Sequence, residues 1–355
     1  MGFVSFFSIF NSSCSFSSIQ DDRVTIITRS VKVKYYNPEL HYCYNRDKAG
    51  QTQPRDAGVD CNLRKPLSNA SCFANHTTCD VHAEGKTHGL PDTRKPRHMT
   101  VEYAPKGLIG VFTPQANTTV EPEMAILMPP GHAFITARMV SARPTISDRL
   151  VDYMDQFPGL LGQFANAPVD VVALACTGAA YLIGHEREAA LLADITARTG
   201  APALSGASAA VDALRMLGAR RIGLVSPYDS ALDRDSAAFW ALQGFEVVAE
   251  ASAFRETTSF HPIYSLSAAA ANIALDTLKD VDADAILMLG TGMPTLATIA
   301  ARPMVGRAPV LSCMLCLAWR AVACRDAGTA TRDALMDWVH ARHWRAMIDR
   351  GHVRT

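Results

Sequence analysis

Two short segments of the chain combine residue types that could make and break bonds next to a carboxylate. In the first, an apolar run from Val169 ends on Cys176, Thr177 and Gly178; in the second, an apolar run from Ala283 ends on Gly290, Thr291 and Gly292. A thiol at such a strand end can give up a proton or, as thiolate, take one or attack carbon, with its pKa set by the dipoles around it. A proton on carbon beside a carboxylate is very weakly acidic. An enzyme working there must stabilise an enediolate with preorganised donors, worth about 3 kcal/mol each in a dry site. Thr177, Thr291, Tyr228 and the N–H groups of the two turns are such donors, and Asn117 adds an amide that donates without adding charge. Glycines at 178, 290 and 292 let backbone approach a ligand closely. Gly290 stands where the first turn has Cys176, so the second turn offers no acid of its own. Cys176 is therefore the candidate catalytic residue. Asn117, Thr177, Gly178, Tyr228, Gly290, Thr291 and Gly292 are the candidate substrate and oxyanion contacts.

Other reactive residue types have plainer uses. His185 and His261 are general bases by type, but His185 opens a charged helix, HEREAA, that should face solvent, and His261 precedes Pro262 in a loop. Arg138 and Arg143 could hold a carboxylate, although arginine is commoner on surfaces. Glu121 and Glu123 suit a helix N-terminus. Cys313 and Cys316 form a CxxC where a strand runs into an apolar helix, a place for small buried residues. The nine cysteines match no zinc spacing, so no metal is expected. A dinucleotide fingerprint needs glycines after the first strand, and Thr113 to Thr119 contains none, so no nucleotide cofactor is expected.

These residues must be placed by the elements before them. From Lys106 on, strand-like runs alternate with helix-like ones: GLIGVFT, His132 to Val140, Val169 to Cys176, Ala201 to Ser205, Arg221 to Ser226, Glu246 to Ala253, Ala283 to Leu289 and Ala308 to Ser312. That alternation predicts βαβ units and a mainly parallel sheet. The pattern also repeats. GLIGVFTPQ from Gly107 is matched by RIGLVSPY from Arg221, VDVVALACTG from Val169 by ADAILMLGTG from Ala283, and APALS from Ala201 by APVLS from Ala308. Three matches in one order at nearly one offset indicate duplication. The expected fold is α/β: two similar, doubly wound, mainly parallel lobes, 99–220 and 221–325, related by a pseudo-twofold, with a helical tail over 326–355. Ligands of such sheets bind beyond the carboxyl ends of the strands, and the candidate residues follow strand ends, so the site belongs in the interlobe cleft.

The 355 residues carry 34 basic and 34 acidic side chains and are 48% hydrophobic, which describes a globular protein with no call on nucleic acid. No apolar stretch approaches the roughly 20 residues of a membrane helix, and Gly2 to Phe10 lacks the basic flank of a signal peptide, so a cytoplasmic location is expected. Residues 1–98 differ from the rest: they are rich in Ser, Asn and Thr, hold turn-prone clusters, and carry sequons at Asn11, Asn69 and Asn75. They are expected to be a disordered extension, or sequence upstream of a true start at Met99.

The segments TPQANTTVEPEM (Thr113 to Met124), VDVVALACTGAAYLIG (Val169 to Gly184), LGARRIGLVSPY ending at Tyr228 and LGTGMPTL (Leu289 to Leu296) resemble the aspartate/glutamate racemase superfamily. Within it they are similar to the maleate cis–trans isomerase and arylmalonate decarboxylase branch. The resemblance implies a cofactor-free enzyme acting on a small carboxylate. In the racemases each half supplies one cysteine; here the first falls on Cys176 and the second, four residues before the proline of MPTL, falls on Gly290. Arylmalonate decarboxylases keep one cysteine and one glycine, in the opposite halves from this chain. The resemblance thus implies a decarboxylase with Cys176 as proton donor, then a maleate isomerase with Cys176 as nucleophile, then a racemase, and last a carboxylate-binding protein without catalysis. Its partner is a small carboxylate, with no nucleic acid and no membrane; a homo-oligomer is left open.

Overall fold

The computed structural model of the protein describes residues 101–255 and 262–349, together with the backbone of four strands nearer the N-terminus. The chain divides into two units, Met1–Gly89 and Leu90–Thr355. In the first, β1 (Ser8–Ile9), β2 (Cys14–Gln20), β3 (Arg23–Thr28) and β4 (Lys32–Tyr36) pair antiparallel in chain order. The sequons, Met99 and His261 lie outside the described residues.

The second unit is an α/β structure with two parallel sheets. Its first half runs β5 (Gly107–Pro114), α1 (Val120–Leu127), β6 (His132–Met139), α2 (Ile146–Leu160), β7 (Val171–Leu174), α3 (Thr177–Ile183), α4 (His185–Thr199), β8 (Ala203–Ser205) and α5 (Gly206–Leu217). Its second half runs β9 (Arg221–Ser226), α6 (Ser230–Leu242), β10 (Glu246–Ser252), α7 (Ala268–Asp276), β11 (Ala285–Met288), α8 (Leu296–Ala301), β12 (Met304–Val305), β13 (Ala308–Ser312) and α9 (Cys313–Arg325). Two short helices follow, α10 (Arg332–Val339) and α11 (Arg345–Met347).

The sheet orders are β6-β5-β7-β8 and β10-β9-β11-β13-β12. In both, the second strand lies outside the first and the third on its other side; β8 then closes the first sheet, while β13 and the antiparallel β12 close the second. Strands β5, β7, β11 and β13 are buried along their whole length, as unbroken apolar runs in a covered parallel sheet should be; β6 and β10, at the edges, alternate with exposed residues. Four of the helices that follow strands are closed by a capping side chain, whereas Thr119, Ser267 and Thr295 stand at the N-caps of α1, α7 and α8 without making that bond. Thr145 accepts from the Asp148 amide at α2, Ser205 and Ser208 close a capping box at α5, Asp229 caps α6 and Ser312 caps α9.

Two features depart from the sequence reading. β12 is a two-residue antiparallel edge strand, too short to show periodicity. α9 follows the last long strand of the second half, yet it packs on α5, α1 and strands β5, β7 and β8 of the first. Nearly every residue of α9 is buried, so it is covered all round.

Candidate active site

The neighbouring strands β5 and β7, and likewise β9 and β11, end side by side. The Ala175 amide donates to the Phe112 carbonyl at 2.8 Å and the Leu289 amide to the Val225 carbonyl at 2.8 Å, so the loops beyond each pair start at matched levels. These loops face one another across a pocket of about 380 Å³. The first half lines it with Asn117, Cys176, Thr177 and Gly178, the second with Tyr228, Gly290, Thr291 and Gly292. Every candidate contact read from the sequence is therefore at this pocket. The remaining wall is apolar or aromatic: Ile146 and Leu150 from α2, Leu232 from α6, then Ile263 and Tyr264.

Cys176 leaves β7 in extended conformation, with φ −150 and ψ 98, and is the N-cap of α3. It is only 3% exposed. Burial pushes its thiol up to about 12, partly offset by the Ala179 amide donating toward the sulfur, so the resting group is a neutral thiol. Two hydroxyls beside it have no nitrogen or oxygen partner among the described residues: Thr177 Oγ1 and Tyr228 OH. A buried hydroxyl left unpaired costs about 1–3 kcal/mol, so Tyr228 is a donor held ready for something the pocket takes in, and Thr177 has only the weak sulfur acceptor of Cys313 to give up. Burial, and after it the nearby Cys313 and Cys176 thiols, raise the Tyr228 phenol well above its ordinary value, so it too is a neutral donor. Cys313, buried behind Thr177, is pushed up to about 11 by burial, with the Thr177 hydroxyl and the Gly290 amide pulling the other way.

Asn117 and Thr291 are spent differently from the sequence expectation. The Asn117 Oδ1 accepts from the amides of Thr119 at 2.8 Å and Val120 at 3.2 Å, closing the start of α1, while its Nδ2 donates to the Thr291 carbonyl at 3.2 Å. The Thr291 hydroxyl donates to the Ala175 carbonyl at 2.8 Å. Both side chains tie the halves together, whereas the Thr177 and Tyr228 hydroxyls have no nitrogen or oxygen acceptor among the described residues. The glycines likewise make room for protein. A Cβ on Gly290, which has φ +80, would meet Pro227 Cγ at 3.1 Å and Tyr228 OH at 3.2 Å; one on Gly292 would sit 2.6 Å from Tyr264 Cε1.

Among the residues given plainer readings, His185 is exposed at the start of α4, and Arg143 is exposed and does not line the pocket. Arg138 braces the loop under Asn117: it donates to the carbonyls of Pro114 at 3.2 Å and Asn117 at 2.8 Å and pairs with Glu121. Glu123, expected to serve its own helix, reaches instead to the amide of Thr295 at 2.6 Å, in the second half. Cys313 and Cys316 are both fully buried. The sequence reading missed Tyr264, which also borders a neighbouring shallow depression lined by Gln115, Arg149 and Tyr153. Its only sequence signal was an aromatic in a loop. No group of three or more metal-ligating side chains occurs among the described residues, and no helix there is long and apolar enough to cross a membrane.

The arylmalonate decarboxylase family model matches residues 109–335, which hold the whole pocket. The chain belongs to the arylmalonate decarboxylase family. It is also similar to a maleate isomerase of Geobacillus stearothermophilus, 32% identical over 152 residues, which is 39% of this chain and 60% of that one. A maleate isomerase of Nocardia farcinica is 31% identical over 213 residues, 58% of this chain and 84% of that one. The match thus spans less than two thirds of the Geobacillus relative. In structure, the chain resembles a cysteine-to-serine mutant of the Nocardia farcinica maleate cis–trans isomerase holding a covalently bound succinylcysteine intermediate. That likeness has a TM-score of 0.55 and 24% identity, covering 62% of this chain and 93% of the other, and it carries the fold. The relatives named by these comparisons are enzymes of isomerase and lyase type acting on small carboxylates.

Proposed function

We propose that this chain is a cofactor-independent decarboxylase of disubstituted malonates, with Cys176 as the proton donor. The observation that carries the reading is a neutral, buried thiol beside two hydroxyls without a nitrogen or oxygen acceptor, in a pocket that no charged side chain lines among the described residues, with a glycine in the matching turn. One carboxylate of the substrate accepts from the Thr177 and Tyr228 hydroxyls. The other lies against Ile146, Leu150 and Leu232, where it is poorly solvated and its loss as carbon dioxide removes a charge from apolar surroundings. The C–C bond breaks, its electron pair passes into the enediolate, and the two hydroxyls hold the charge that develops there. The Cys176 S–H then delivers its proton to the α-carbon, and solvent returns a proton to the sulfur after product leaves. Gly290 supplies no acid, so the carbon is protonated on one face. The shared strand order supports the rest of the reading, two halves related by a pseudo-twofold about this pocket.

A second reading is favoured by the maleate isomerase relatives. In it the Cys176 sulfur adds to the double bond of a cis-enedioate, the former double bond rotates, and the sulfur leaves. The high thiol pKa counts against it, since the thiolate is the nucleophile.

Incubating the full chain with aryl- and alkylmalonates, maleate, aspartate and glutamate separates the readings. Carbon dioxide and a single enantiomer are expected from a prochiral malonate. Fumarate formed from maleate, with no decarboxylation, would install the second reading. A racemic acid would overturn the one-sided protonation. Since the family match and the pocket both lie after residue 108, we assign the activity to 99–355; removal of 1–98 should leave turnover unchanged, and a loss of cooperative melting would refute that assignment.

A further inference from the structure

Glu123 is a carboxylate that the chemistry above does not use, buried to 5% exposure on the first turns of α1. Its partners are all in the other half of the molecule. It accepts from the amides of Thr295 at 2.6 Å and Leu296 at 3.2 Å, and from the Thr295 hydroxyl at 3.2 Å. Two neighbours on the same stretch reach the same target. Asn117 donates to the Thr291 carbonyl, and the Thr119 hydroxyl donates to the Gly292 carbonyl at 2.7 Å. The start of α1 is thereby clamped along the segment 291–296, whose first residues are the second turn of the pocket.

We propose that Glu123 is a positioning residue for the catalytic pocket: it fixes the Gly290–Thr291–Gly292 turn against the Cys176 turn by holding the Thr295–Leu296 backbone. This rests on the pocket being the catalytic site. Of the three clamping side chains Glu123 has the strongest acceptor, and a charge-assisted bond to a backbone amide is about twice as strong as a neutral one. If only packing were required, an apolar side chain would serve without the cost of a buried carboxylate. That cost is visible: burial raises its carboxyl to about 7, against the lowering effect of the three bonds from Thr295 and Leu296. No charged side chain enters that balance. Glu121 on the same helix is turned to Arg138, and His343 meets α1 at its far end, with Nε2 3.3 Å from the Leu127 carbonyl. The clamp therefore gains its charge as pH rises through about 7.

The test uses the full chain and a readout that needs no substrate. Iodoacetamide labelling of Cys176, followed by peptide mass spectrometry, reports how closely the two turns are held. Glu123→Ala should label about tenfold faster than wild type, and on any malonate turned over kcat should fall about tenfold with KM little changed, since small misplacements of reacting groups act on kcat. Glu123→Gln keeps the Oε1 acceptor and should restore both to within about threefold, and its labelling ratio to wild type should change between pH 6 and pH 8, where only wild type titrates at this position. Glu186→Gln, on the exposed start of α4, should match wild type throughout. A Glu123→Ala protein with lowered Tm but wild-type labelling and kcat would reduce Glu123 to a stability residue and overturn the proposal. Absence of any turnover in wild type would defeat the decarboxylase reading, while the labelling arm would still decide on Glu123.

Discussion

At the end of β7 the chain passes through Cys176 in an extended conformation and enters α3 at once. At the end of β11 it turns through Gly290 at φ +80 and does not begin α8 until Leu296. The two turns occupy the same place in sheets of the same strand order, yet they are spent in opposite ways. The first presents to the pocket a thiol and a hydroxyl that has no nitrogen or oxygen partner among the described residues. The second presents backbone, and its polar groups are taken by Asn117, Thr119 and Ala175 of the first half. Two such turns can divide the labour in this way because one pocket needs one reactive atom and a rigid surface to face it.

The comparison is broken most severely at its reactive side. Cys176→Ala removes the proposed proton donor, and a general acid contributes about 10²–10⁴-fold, so decarboxylation should fall by about three orders of magnitude while melting stays cooperative. Near-normal turnover in that variant would move the chemistry elsewhere in the pocket. Next comes Tyr228→Phe. Loss of an oxyanion donor costs about 10²–10³ in kcat, but the wild-type hydroxyl is buried without a partner, so removing it should leave the resting protein as stable or raise its stability by about 1 kcal/mol. Opposite signs in activity and stability are the mark of a donor reserved for substrate. A variant that loses both would show the phenol to be structural.

The second turn should break more gently. Gly290→Ala places a Cβ at φ +80 and into contact with Pro227 Cγ and the Tyr228 hydroxyl, so a loss of about 1–2 kcal/mol in unfolding free energy is expected. For the same reason Gly290→Cys, which by sequence logic would rebuild a two-thiol racemase, should be strained and leave the product enantiopure. The phenol oxygen stands 3.2 Å from where that side chain would begin. If Gly290→Cys unfolds like wild type and racemises its product, the turns are more alike than the backbone implies.

What could be read from the chain beforehand follows from where information sits. The strand ends were legible because apolar runs are local, and the repeat supplied a second copy of each: β9 and β13 run over the residues expected, Arg221–Ser226 and Ala308–Ser312. Strand ends in a parallel sheet gather at one edge, so Asn117, Cys176, Tyr228 and Gly290 came together without any knowledge of packing. What was not legible depends on contacts distant in sequence. Tyr264 reaches the pocket only because Gly292 leaves space for its ring, and Glu123 meets Thr295 across 172 residues. The bonds that Asn117 and Thr291 make across the halves are hidden for a related reason. Residue type says that a side chain can donate, but only the folded partners say whether the donor is already used.

The smallest expected effect tests how deep the first turn's special role extends. Cys313 and Cys316 both lie in α9 with no exposed surface, and by composition they are equivalent packing residues. Their surroundings differ. Cys313 has the Thr177 hydroxyl and the Gly290 amide beside its sulfur, so it backs both turns at once, whereas burial, and after it the Cys313 sulfur, raises the Cys316 thiol well above its ordinary value. Truncating either to alanine should cost about 1 kcal/mol of stability, the usual price of removing one small buried group. Activity should separate them. Cys316→Ala should turn over at the wild-type rate, while Cys313→Ala frees the Thr177 hydroxyl to rotate and should lower kcat about twofold to fivefold, the scale of a neutral hydrogen bond of about 0.5–1 kcal/mol. Equal kcat in the two variants would confine the catalytic arrangement to the pocket surface. A Cys313→Ala defect as large as that of Tyr228→Phe would instead make this buried thiol part of the proton path.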